Sequence, residues 1–184
     1  MKKVLSLLLL LAIVTLQAHA QRYGTRTGTI TFHSETPLET IHAVNHAARG
    51  VIDADSKKVQ FAVLIKGFQF KKALMQEHFN ENYMESSKFP KAVFKGEIVE
   101  GDPDFHQPGP YDVVVAGKLT IHGVTHDVKV PGTIAMSKAG AQINASFTVK
   151  PADYGIKIPA LVKNKIAKEI KVTVDALLPM LQKK

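Results

Sequence analysis

The 184-residue chain contains no cysteine. That absence excludes disulfide staples, thiol catalysis, cysteine metal sites and attachment of a lipid to an N-terminal cysteine. Nucleophile elbows of the form G-x-S-x-G are missing, and so are glycine-rich phosphate loops. The acids mostly fall in turns or on the outer face of one helix, and no pair of carboxylates is read as facing a cleft for glycosidase chemistry. No run of five basic residues occurs, and no aromatic–basic motif suggests nucleic acid. The chain therefore reads as a non-enzyme without a cofactor. It also lacks internal repeats, low-complexity tracts and linkers. Beyond residue 20 no stretch is long and apolar enough to span a bilayer.

What is present starts with an export signal. Lys2 and Lys3 precede an apolar run from Val4 to Leu16, and Ala18-His19-Ala20 is a small-x-small cleavage site. The run falls short of the roughly 20 residues that a bilayer requires. Cleavage after Ala20 leaves residues 21–184 as one domain and places it in the periplasm or outside the cell. Losing Lys2 and Lys3 lowers the formal charge from +8 to +6. The remaining lysines are dispersed, which reads as a solvated basic surface and is compatible with transient contact with a membrane surface.

The residues after the signal alternate. Val59–Lys66, Ala92–Ile98, Tyr111–Ile121, His126–Val130, Gln142–Lys150 and Glu169–Leu178 each carry apolar side chains at every second position. Such strands have one apolar and one wet face, as in an antiparallel sheet that covers its own core. Thr27–Ser34 carries Ile30 and Phe32 on one face. Ile41–Asp53, interrupted by Asn45, His46 and Gly50, reads as a bent or broken strand. Gly101–Pro110 is a surface loop rich in glycine, proline and aspartate. Lys71–Tyr83 places Met75, Phe79 and Tyr83 at helical spacing opposite Glu77 and Glu81, which predicts an amphipathic helix of about three turns. A second short helix is predicted over Pro159–Ala167. The pattern is all-β and mainly antiparallel, a barrel of about eight strands with the helix inserted after the third. Helix 71–83 and loop 101–110 are the candidate mouth elements.

Strand parity and helix phase define a lumen-facing set: Phe61, Val63, Ile65, Phe68, Met75, Phe79, Phe94, Leu119, Phe147, Ile170 and Val172. In a hollow barrel these would line a ligand site; in a filled one they would simply pack as a core. Histidines offer a different reading. His42 and His46 stand four apart, as do His122 and His126, and His78 with Glu81 gives H-x-x-E. Neither pair lies on a predicted helix and no full zinc motif is present, so a secreted histidine-dependent metal-binding protein or hydrolase is the alternative.

Three segments carry a resemblance. They are Phe68–Phe94, with Leu74-Met75-Gln76-Glu77-His78-Phe79 and Phe89-Pro90-Lys91-Ala92-Val93-Phe94; Val115–Thr125, with Ile121-His122-Gly123-Val124-Thr125; and Phe147 with Asp153-Tyr154-Gly155-Ile156. In this order and spacing the chain resembles the YceI-like family of exported proteins. His126 stands where a lysine is common in that family, and Gln21–Asp53 departs most from the pattern. The resemblance implies a lipocalin-like barrel with an elongated apolar cavity for a polyisoprenoid, isoprenoid quinone or similar lipid. It is also compatible with a homodimer, and it implies no catalytic residues.

Overall fold

The computed structural model describes residues 21–182; the export signal read from residues 1–20 lies outside the described residues. Nine strands form one antiparallel sheet: β1 Arg22–Glu35, β2 Thr40–Asp53, β3 Lys58–Leu64, β4 Gln69–Phe70, β5 Lys91–Glu100, β6 Gly109–Ile121, β7 Val124–Ser137, β8 Gly140–Val149 and β9 Ile170–Leu178. The sheet runs β1-β9-β8-β7-β6-β5-β3-β2, and pairing of β2 with β1 closes it into an eight-stranded barrel. The two-residue β4 is added on the outside of that count, against Ala43 and Val44 of β2. Closure removes the free edges that an open sheet of this length would expose.

The alternation read from the sequence is realised strand by strand. Cross-strand neighbours Phe61, Phe94 and Leu119 share the inner face of β3, β5 and β6. Phe147 and Val172 do so on β8 and β9. β1 and β2 are longer than the sequence suggested, at 14 residues each, and β2 is bent rather than broken. The register steps from Thr25↔Gly50 to Gly28↔Ala48 to Ile30↔Asn45, so one extra residue bulges from each strand in turn. Asn45 holds the bulge on β2: its Oδ1 accepts the Ala47 N–H at 2.8 Å and its Nδ2 donates to the Leu64 carbonyl at 3.0 Å. In a residue only 1 % exposed, both the amide oxygen and the amide nitrogen thereby have a partner. Gly67 packs so closely on that amide that a Cβ there would lie 2.5 Å from Nδ2.

The helix begins two residues later than predicted. Helix α1 spans Ala73–His78 and continues as a widened π turn over Phe79–Tyr83. The predicted second helix is replaced by a single 3-10 turn at Ala160–Val162. Residues 159–167 turn Val162 and Ile166 toward the lumen but leave Leu161 93 % exposed, and so short a segment is not held helical by that little packing.

The ends of the barrel differ. At one end, the β1 and β9 termini meet loop 101–110. There Tyr23 stacks on Phe105 at 5.6 Å and its hydroxyl donates to the Phe105 carbonyl at 3.1 Å. Loop 101–110 was expected at the mouth; instead it plugs the closed end, because Phe105 is an apolar side chain in a polar loop and is buried with Ile52, Ile134 and Leu178. Helix α1 and residues 150–169 lie at the opposite end.

Candidate functional site

Above the plug the lumen is hollow. The cavity has a volume of about 560 Å³ and is lined almost entirely by apolar side chains. At roughly 30 Å³ for one water, that is space for many more than a few solvent molecules, so a filled core describes only the closed half. All eleven residues of the predicted lumen set border the cavity: Phe61, Val63, Ile65, Phe68, Met75, Phe79, Phe94, Leu119, Phe147, Ile170 and Val172. Phe61 and Phe94 also pack on the plug and so form the cavity's floor. Phe61 lies over Gly50, where a Cβ would come within 2.5 Å of its ring. The missing side chain lets the ring lie along the wall, which keeps the lumen wider than a phenylalanine at that position would otherwise leave it.

Sequence reasoning missed part of the wall. Ile30 and Phe32 of β1 line the cavity, as do Ile156, Ile158, Val162 and Ile166 from residues 150–169. Alternation in Thr27–Ser34 could have supplied the first two. Of the others, Ile158, Val162 and Ile166 stand four apart, a helical spacing that could have marked them, although the segment forms only one 3-10 turn; Ile156 carries no such signal.

Helix α1 covers the open end. Phe79 is held among Phe32, Phe68 and Phe70 at centroid distances of 5.3, 5.8 and 5.0 Å, a cluster of offset and edge contacts. The polar lining gathers at the rim, as Ser34, Glu39, Lys72, His78 and Lys165. Lys72 Nζ donates to Glu39 Oε1 at 2.9 Å. That hydrogen bond, assisted by the charges of Lys72 and Lys165, holds the Glu39 carboxyl below the usual glutamate pKa. Ser34 Oγ accepts the Ala167 N–H at 2.9 Å, tying residues 160–169 to β1. Tyr83 also borders the cavity, and burial raises its phenol pKa, so it stays neutral.

The histidines read as alternative metal ligands are not brought together. Among the described residues, no three His, Asp or Glu side chains are grouped to hold a metal ion. His42 faces His33 across β1 and β2 at 6.3 Å, and His46 Nδ1 pairs with the Thr29 hydroxyl. His78 lies at the rim. His122 and His126 instead knot the barrel top. His122 Nδ1 lies 3.2 Å from the Tyr154 carbonyl and its Nε2 lies 2.8 Å from the Glu85 carboxylate. Phe89 packs edge-on against the same ring at 4.4 Å. His126 Nε2 lies 2.8 Å from the Asp153 carbonyl. These contacts join the three separate segments that carried the family resemblance. Gly123 is needed beside them, with φ +77° and a Cβ that would strike Phe89 at 2.6 Å.

Among the described residues no helix is long and apolar enough to cross a membrane. The family model described as the YceI-like domain matches residues 18–178. Among solved structures, the chain is similar to a polyisoprenoid binding domain from Saccharophagus degradans, with a TM-score of 0.72 at 14 % identity over 88 % of this chain and 99 % of that one. Burkholderia cenocepacia BcnA matches with a TM-score of 0.66 at 17 % identity, over 82 % of this chain and 94 % of that one. A Campylobacter jejuni YCEI protein matches with a TM-score of 0.55 at 15 % identity, over 74 % and 81 %. A search of curated proteins returns no match. At these identities the likeness is one of fold.

Proposed function

The chain belongs to the YceI-like domain family, and from that premise we propose that it carries or sequesters one long apolar molecule, a polyisoprenoid or similar lipid, inside its barrel. The observation that supports this best is the cavity of about 560 Å³ whose polar lining is confined to the rim. A lumen of this kind rewards hydrocarbon, at roughly 0.8 kcal/mol per buried methylene before ordering costs. It offers no polar group along its depth to reward a hydroxyl or a charge. Selectivity then follows length and width. If a methylene takes about the volume of a water, the cavity suits a chain on the order of 20 carbons, with any head group held at the rim.

The eleven lumen residues are the proposed contacts, with Phe61 and Phe94 meeting the far end of the ligand. The similarity in fold to the polyisoprenoid binding domain favours an isoprenoid among the possible lipids. The export signal read in residues 1–20 adds a setting, a single mature domain in the periplasm or outside the cell, where an apolar chain must be shielded from water to move.

Native mass spectrometry of protein purified without detergent tests the reading. The expected result is a co-purified lipid, or one-to-one uptake of prenols and isoprenoid quinones with a preference for chains near 20 carbons. Protein that carries no lipid and takes up none of these would overturn it.

A further inference from the structure

The rim of the barrel carries leucines that stand largely in solvent, one of which, Leu74, also borders the lumen. Three segments meet around the opening: the β1–β2 turn, the start of α1, and residues 157–169. Lys72 bridges the first two through Glu39, and Ser34 ties the third to β1. Each segment presents one leucine to solvent: Leu38 at 67 %, Leu74 at 61 % and Leu161 at 93 % exposure. The neighbour of Leu161, Val162, lines the cavity. Consecutive residues thus face the lumen and the outside at the same point of the rim.

The charge of the rim is one-sided around Leu161. Residues 157–169 carry Lys157, Lys163, Lys165 and Lys168 against a single acid, Glu169, and Glu169 is itself 3.4 Å from Lys150. Lys71 and Lys72 flank Leu74, but Lys72 and Glu39 neutralise each other, and Glu77 and Glu35 stand near Leu74 and Leu38, so the basic excess of the rim lies on residues 157–169. Exposed leucines set among lysines suit the boundary of an anionic bilayer, where apolar tips enter the acyl region and ammonium groups meet phosphates. We propose that this rim docks on an anionic lipid surface, with Leu38, Leu74 and Leu161 entering it and the lysines setting its preference for negative charge. Docked this way, the opening faces the phase that holds the cargo, and an apolar chain would pass between membrane and lumen with little exposure to water. The docking goes beyond the carrier reading and takes only its purpose from it.

Flotation with phosphatidylcholine vesicles, with and without phosphatidylglycerol, tests the proposal on the full mature chain. Binding is expected to the anionic vesicles and to fall as salt screens the lysines. Leu161→Glu together with Leu38→Glu should weaken it roughly tenfold. Lys157→Glu with Lys163→Glu should remove the anionic preference. Val99→Glu, an exposed position on β5 near the closed end, should change nothing. Equal binding to both vesicle types, or binding indifferent to Leu161 and Leu38, would overturn the proposal. So would a lipid-free dimer that Leu161→Glu dissolves, since the face would then be covered by a second copy. Loading of a prenol from detergent separates the two readings: loading without vesicle binding defeats the docking alone, and vesicle binding without any loading defeats the carrier alone.

Discussion

The two halves of the barrel are made from the same strands and the same kinds of residue, yet one is packed and the other is empty. Near the termini, Tyr23 and Phe105 fill the bore and Ile52, Ile134 and Leu178 close on them, each at most 7 % exposed. Beyond Phe61 and Phe94 the walls carry equally apolar side chains, but nothing crosses the middle. What differs is the source of the plug. It comes from the closed-end loop, which drops an aromatic ring into the bore. At the other end α1 and its π turn lie across the opening with Phe79 held to one side, against Phe32, Phe68 and Phe70. Hollowness here is a property of loops, and the strands are neutral toward it.

Truncation should separate the halves most strongly. Phe105→Ala is expected to cost about 3–5 kcal/mol in urea unfolding, the usual loss for a buried phenylalanine. Phe147→Ala, whose ring already borders a void, should cost less than about 1.5 kcal/mol because fewer packing contacts are lost. Equal costs would show that the upper half is packed as tightly as the lower. Filling should act in the opposite sense. Ala145→Phe places a ring in the cavity from β8 and is expected to lower lipid uptake at least tenfold, while stability changes by no more than about 1 kcal/mol. Native mass spectrometry and a melt on the same sample check both parts.

The smallest expected effect lies in acid. The Asp53 carboxylate at the closed end accepts the Ser56 N–H at 3.0 Å, the Ser56 hydroxyl at 2.8 Å and the Arg22 Nε–H at 2.9 Å. These bonds, led by that of the Ser56 backbone, hold its pKa at about 2. The folded value lies below the unfolded one, so the stabilisation is complete above the ordinary aspartate range and is lost as pH falls toward 2. Solvent screening reduces it to about 1 kcal/mol. Asp53→Asn should remove that part of the acid dependence between about pH 5 and pH 2, read as the difference between the two unfolding curves. A difference that stays constant across the window would discard the assignment.

Much of this was legible in advance, for a physical reason. A strand with one wet face must alternate, so the inner sides of β3, β5, β6, β8 and β9 could be read directly, and all eleven lumen positions border the cavity. β2 was harder because its parity changes at Asn45. Ile41, Ala43 and Asn45 share the inner register, and after the bulge Ala48, Gly50 and Ile52 do. A period-2 pattern cannot survive an inserted residue. The ends of the barrel were legible only in part: helix 71–83 does lie at the opening, as its position between strands suggested, and loop 101–110 does not. Whether loop 101–110 capped the mouth or plugged the base depended on the burial of Phe105, a tertiary fact. The knot at His122 was visible only as three family-like fragments, since the contacts of Tyr154, Glu85 and Phe89 span 37 residues on one side and 32 on the other.

The seam between β1 and β9 also has a meaning in time. Most neighbouring strands in this barrel are near in sequence, but Ile30 must find Val174 and Phe32 must find Val172 across almost the whole chain. Contacts of such separation carry a large loop-closure cost and form late in folding. Until the seam zips, the future lumen is one face of an open sheet, wide enough to meet a lipid broadside and sticky enough to meet another chain. The last hydrogen bonds to form are therefore the ones that turn an adhesive surface into a private compartment.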